Sequence, residues 1–149
     1  MSALARFARA AKWPRVLIID DEEQLLRVWT RELELLGLEV WAARSARDAV
    51  GVLAQLDGDL DAVACDLHMA DGDGMELHRF LQVEYPGLEH RVVFITGGAV
   101  SARENEFLVT AANPVLEKPC KLGRFVVLAR EWGERRQSRR GNASADGRR

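Results

Sequence analysis

Four short apolar runs in this 149-residue chain each end on a residue able to do chemistry. Val16-Leu17-Ile18-Ile19 leads into Asp20-Asp21, and Ala62-Val63-Ala64-Cys65 into Asp66. Val92-Val93-Phe94-Ile95 leads into Thr96, and Pro114-Val115-Leu116-Glu117 into Lys118. Three carboxylates in one pocket repel one another unless a cation compensates them. Hard oxygen donors with room left for water suit Mg²⁺, or Mn²⁺ in its place. Lysine adds a mobile point charge of the kind that holds phosphate oxygens. A carboxylate, a divalent ion, a lysine and a hydroxyl together make a site for an aspartyl phosphate.

Only a fold can join residues spread from position 20 to position 118. The continuous, β-branched runs read as strands buried on both faces. Between them lie helical patterns. Leu25, Trp29, Leu33 and Leu36 recur at helical spacing until Gly37 stops them. Leu38-Glu39-Val40-Trp41 alternates, as an edge strand does. Ser45 caps a second helix with an apolar face of Ala46, Ala49, Val50 and Leu53. Leu77, Phe80 and Leu81 mark a third, punctuated by Tyr85-Pro86-Gly87. Ser101 to Ala112 is a weaker helix with Phe107, Leu108 and Ala111 on one side. The last shows Leu122, Phe125, Val126, Ala129 and Trp132. Five such βα units predict an α/β domain of flavodoxin-like (βα)5 type, a doubly wound parallel sheet in strand order 2-1-3-4-5. In such a sheet the C-terminal strand ends share one rim, where ligands bind.

The composition, 48% hydrophobic and 30% charged, is that of one globular domain. With two cysteines, Cys65 and Cys120, the chain is no disulfide scaffold, and both are expected as reduced thiols in a cytoplasmic protein. No apolar run is long enough to span a membrane. The net charge of -2 hides a partition, because residues 1–15 and 133–149 each carry +4 and the 117 residues between carry -10. The expected organisation is a basic N-terminal tail (1–14), a domain (15–132) and a basic tail (133–149). That last tail has no apolar residue larger than alanine and is expected to be disordered. No output domain is expected after Trp132. Arginines without a structured reading element neutralise phosphates but read no base edges, so no sequence-specific nucleic-acid binding is expected.

The chain resembles the receiver domain of two-component response regulators. The resemblance runs from Arg15 to Trp132 and rests on Asp20-Asp21, Asp66-Leu67-His68-Met69 with Gly72 and Gly74, Thr96-Gly97, and Lys118-Pro119. It implies that Asp66 accepts a phosphoryl group from phosphohistidine on a histidine kinase or phosphotransfer protein. It implies direct Mg²⁺ ligation by Asp21, Asp66 and the backbone carbonyl of His68, with Asp20 acting largely through water. Thr96 and Lys118 would bind phosphoryl oxygens, and the Lys118-Pro119 peptide would be cis. Signalling would pass to an unknown downstream protein, from a monomer or a phosphorylation-dependent homodimer. The domain would catalyse only its own phosphorylation and dephosphorylation.

Ala70 stands where the family often has proline, and Val115 where it usually has an aromatic on the fifth strand. The chain is expected to be either a stand-alone regulator or a receiver from a hybrid histidine kinase; Thr96-Gly97-Gly98-Ala99 and Asn113-Pro114-Val115-Leu116-Glu117-Lys118-Pro119 resemble receivers at the C-terminus of hybrid kinases. An alternative is an adaptor using this fold without phosphorylation, against which the complete acidic set argues. An aspartate-nucleophile phosphatase would need a second Asp where His68 stands. His68, His78 and His90 lack metal-ligand spacing and read as surface or loop residues. Asp71-Gly72-Asp73-Gly74 is no calcium loop, because Gln82 occupies the place of its final glutamate.

Overall fold

The computed structural model describes residues 14–69 and 72–147. Five parallel strands, β1 (Arg15–Ile19), β2 (Glu39–Ala43), β3 (Ala62–Asp66), β4 (Val92–Thr96) and β5 (Val115–Glu117), lie in the order β2-β1-β3-β4-β5. This is the order predicted from the buried runs. The connecting helices are α1 (Glu23–Leu35), α2 (Ala46–Leu56), α3 (Gly74–Glu84), α4 (Ala102–Ala111) and α5 (Gly123–Asp146). A two-residue antiparallel ladder, His68–Met69 against Gly72–Asp73, follows β3, and a 3-10 turn (Leu88–Arg91) precedes β4.

Successive strand side chains point to opposite faces, so each central strand feeds two cores. Leu17, Ile19, Val63, Cys65 and Phe94 meet Ala49 and Leu53 of α2 and Leu77 and Leu81 of α3. Val16, Ile18, Ala64, Val93 and Ile95 meet Leu26, Trp29 and Leu33 of α1 and Phe125, Val126 and Ala129 of α5. Burying a side chain of this size contributes about 1.5–3 kcal/mol each, which is why the uninterrupted runs occupy the middle of the sheet. Ser45 Oγ accepts from the Asp48 N–H at 3.0 Å, capping α2 as its sequence predicts. Gly37, at φ +89°, ends α1 in the left-handed region that favours glycine.

Four expectations need correction. The buried stripe of α1 is Leu26, Trp29 and Leu33; Leu25 is only partly covered, and Leu36 lies past the helix end, 47% exposed. On α2, Val50 is exposed, leaving Ala49 and Leu53 to face the core. His78 is not a surface residue: it is 6% exposed, 5.2 Å from the Phe107 ring and 6.0 Å from Phe94. The segment from residue 133, expected to be disordered, continues α5 as far as Asp146. Arg136 and Arg140, one helical turn apart, turn a common face to Asp59 and Asp61. Ion pairing replaces the apolar burial that this segment lacks. The basic N-terminal tail lies outside the described residues apart from Pro14, whose carbonyl accepts from the Glu39 N–H at 3.0 Å.

Candidate functional site

The C-terminal ends of β1, β3, β4 and β5 form one rim, and it carries Asp20, Asp66, Thr96 and Lys118. Asp20 is fully buried; its Oδ1 accepts from the Glu22 N–H at 2.8 Å, and its Oδ2 lies 2.7 Å from Lys118 Nζ. Asp66 is buried at the end of β3. Its Oδ1 accepts from the His68 N–H at 3.0 Å and its Oδ2 from Lys118 Nζ at 3.1 Å. Asp20, Asp21 and Asp66 each offer a carboxylate oxygen, all within 4.8 Å of one another. Glu22, not assigned a part from its sequence position, brings a further carboxylate oxygen to 3.5 Å from Lys118 Nζ.

The electrostatics follow from this crowding. Burial pushes the Asp66 carboxyl above its ordinary value and Asp20 adds to the rise, while the His68 N–H and Lys118 oppose it. Burial alone would lower the Lys118 ammonium, but Asp20 and Asp66 overcome that and drive it up, so it stays charged. The lysine serves as the internal cation of an acidic pocket. Three carboxylates against one ammonium still leave the pocket negative, which suits a divalent cation.

Local sequence sets these positions. Lys118 is held in register because its N–H donates to the Thr96 carbonyl at 2.7 Å, and the Lys118-Pro119 peptide that follows is cis. Gly74 opens α3 beneath the pocket; a Cβ there would stand 3.1 Å from Phe94 Cε1 and 3.2 Å from the Asp66 carbonyl oxygen. Thr96 is buried and lines a groove of about 300 Å³ with Gly98, Asn105, Leu108, Val109 and Val115. Cys65 and Cys120 are free thiols, and burial raises both. The buried Cys65 is thereby kept protonated and inert.

The His68 imidazole, on the short ladder after β3, is half-exposed as a surface residue should be, but it is paired: Nε2 meets Glu104 Oε2 on the first turn of α4. The Ser101 N–H, together with His68, holds the Glu104 carboxyl below its ordinary range. Glu104 is the residue that sequence reasoning missed. Its signal was the Ser101-x-x-Glu104 spacing of a capping box, which says nothing of a partner 36 positions upstream.

A doubly wound parallel sheet with an acidic triad and a lysine on its C-terminal rim defines the receiver class of signalling domain. Residues 16–130 match the response regulator receiver domain, and the chain belongs to that family. Its backbone is similar to a CheY-like receiver domain protein from Methanospirillum hungatei JF-1, with TM-score 0.70 and 24% identity, over 86% of this chain and 99% of the other. In sequence it is 28% identical over 120 residues to the sensor kinase CckA of Brucella abortus (strain 2308). It is 30% identical over 125 residues to the C4-dicarboxylate transport transcriptional regulatory protein DctD of Rhizobium meliloti (strain 1021). These matches cover 80% and 83% of this chain but 12% and 26% of the two relatives, which are larger proteins. The chain is a receiver domain of two-component type.

Proposed function

We propose that Asp66 takes a phosphoryl group from a phosphohistidine on a histidine kinase or phosphotransfer protein, and that the domain then signals by protein contact. The observation that carries this reading is the Asp66 carboxylate, buried at a strand end and joined through Lys118 to Asp20 in a pocket with a net negative charge. Asp21, Asp66 and the His68 carbonyl would hold Mg²⁺, with Asp20 acting through water. That fit rests on the three carboxylates within 4.8 Å and on the family's use of acidic residues for this ion. When bound, the cation supplies charge neutralisation for the carboxylates and the phosphoryl oxygens.

An Asp66 carboxylate oxygen forms the new O–P bond as the N–P bond of the phosphohistidine breaks, its electron pair returning to the imidazole nitrogen. Lys118, freed from part of its pairing with Asp66, turns its ammonium to the phosphoryl oxygens, and the Thr96 hydroxyl donates to one of them. Electrostatic placement of this kind carries most of the catalysis in phosphoryl transfer. The reaction runs on the domain itself and turns over no separate substrate. Its setting is the cytoplasm; among the described residues no helix is long and apolar enough to cross a membrane.

The test is incubation with acetyl phosphate and Mg²⁺, followed by intact-mass measurement and mapping of the phosphate. Wild-type protein should gain one phosphoryl group on Asp66. Asp66→Asn should gain none, and Asp21→Ala should react slowly and need more Mg²⁺. Labelling of Asp66→Asn at the wild-type level would overturn the assignment.

A further inference from the structure

We infer that Glu104 is a positioning residue that ties α4 to the phosphoacceptor loop through the His68 side chain. The inference rests on the proposed role of Asp66 and names how occupancy of that site is passed on. Residue 68 makes contacts in two directions: its N–H donates to Asp66 Oδ1 at 3.0 Å, and its imidazole meets Glu104 Oε2. Glu104 is in turn built into the start of α4, since its Oε1 accepts from the Ser101 N–H at 3.0 Å while Ser101 Oγ accepts from the Glu104 N–H at 3.1 Å. An unbroken chain of contacts therefore runs from Asp66 through His68 and Glu104 to Ser101.

The contact is better placed than an ordinary surface contact on its Glu104 side. The Glu104 side chain is only 14% exposed and its carboxylate is already oriented by the capping box, so little rotamer freedom remains to be lost. The helix it holds is the one most able to respond. None of the residues of α4 is fully buried, and its main aromatic anchor is Phe107, 5.5 Å from the Phe94 ring and 5.2 Å from His78. Helices with few buried contacts move at low free-energy cost. Converting the Asp66 carboxylate to an acyl phosphate changes the acceptor facing the His68 N–H. Residue 68 must readjust, and Glu104 carries that displacement into the first turn of α4.

Two variants separate this link from simple helix capping. Glu104→Ala removes the contact with His68, whereas Ser101→Ala weakens the cap and leaves that contact in place. Each protein is phosphorylated with acetyl phosphate and Mg²⁺, labelling is checked by intact mass, and the backbone amide shifts of residues 102–111 are compared with the free form. Wild type and Ser101→Ala should show the full α4 response, and Glu104→Ala less than half of it at equal labelling. A full response in Glu104→Ala, or an equal loss in Ser101→Ala, overturns the link. Absence of label on wild-type Asp66 overturns the phosphoacceptor reading and this inference with it, and the mass measurement distinguishes that failure from the others.

Discussion

Arg136 Nη1 stands 2.6 Å from Asp61 Oδ1, joining the last part of α5 to the residue that precedes β3. Around this pair, Asp59 Oδ1 accepts from Arg136 Nη2 at 2.9 Å and from Arg140 Nη2 at 3.0 Å, and Arg15 Nη1 reaches Asp59 Oδ2 at 2.7 Å. Burial by itself would raise the Asp59 carboxyl, but the arginines hold it below its ordinary value. Gly133, Gly141, Ser138 and Asn142 are weak helix formers, so these ion pairs hold the end of the helix.

Arg136→Ala should therefore unravel residues 134–146 while α5 up to Trp132 stays folded. The global cost should be about 1–3 kcal/mol, because Asp61 is left buried with a lost charged donor. Amide hydrogen exchange measures it: protection should vanish after Gly133 only. Acid should act in the same way. A depressed carboxyl contributes its full stability above the unfolded value of about 3.9 and loses it as pH falls below that. Exchange in 134–146 should rise as pH falls below about 4, because the unfolded chain takes up the Asp59 proton there and the folded chain only at lower pH.

His78 titrates with the opposite charge but a similar sign. Burial lowers its pKa; Asn113 and Glu89 oppose the shift and His90 adds to it. The unfolded chain takes up this proton near pH 6.5 and the folded chain only at lower pH, so stability falls as pH drops below about 6.5. Urea midpoints for wild type should decline between pH 7.5 and pH 5.5, and His78→Leu should flatten that decline. An unchanged slope in His78→Leu would assign the decline to other groups.

Where chemistry and burial coincide on contiguous residues, the fold was legible. The runs at Val16, Ala62 and Val92 needed cover on both faces, which placed β1, β3 and β4 centrally, and the polar residue closing each run had to reach the common rim. What escaped the reading involves partners distant in the chain. Arg136 finds Asp61 from 75 positions away, and no local composition announces that. Glu104, which drew no reading from the sequence, closes the capping box of α4 and is also a partner of His68. His78 looked polar, yet the rings of Phe94 and Phe107 enclose it. Leu36 followed the apolar period, but Gly37 ends the helix before that period can bury it.

Gly74 offers a test of the packing under the site. An alanine Cβ there would meet Phe94 Cε1 at 3.1 Å and the Asp66 carbonyl at 3.2 Å, both tighter than ordinary contact. The Asp66 carbonyl belongs to the backbone of β3 and cannot swing aside. Gly74→Ala should cost about 1–3 kcal/mol, in the range of overpacked cores, and should slow labelling by acetyl phosphate by displacing Asp66. Urea unfolding and the labelling rate measure the two effects separately.

Val115 bears on how the signal leaves the pocket. It pairs in register with Phe94, and the Pro114 carbonyl accepts from the Phe94 N–H at 3.0 Å, so proline introduces no register slip on β5. Among the described residues no aromatic lines the groove beside it: Phe94 and Phe107 are engaged with one another and with His78. Val115 instead shares with Thr96 the groove of about 300 Å³ beneath Asn105, Leu108 and Val109 of α4. A β-branched side chain with one stiff χ angle cannot sweep through that space as a ring does. Thr96 remains able to move toward a phosphoryl group, but its displacement has no large side chain to drive. The α4 response should therefore run through His68 and Glu104 and survive Val115→Ala. That variant should cost about 1 kcal/mol or somewhat more for the lost methyl groups and leave the phosphorylation-dependent shifts of residues 102–111 at their wild-type size. A collapse of those shifts in Val115→Ala at equal labelling would show that the signal crosses the β5 groove and that the valine carries it.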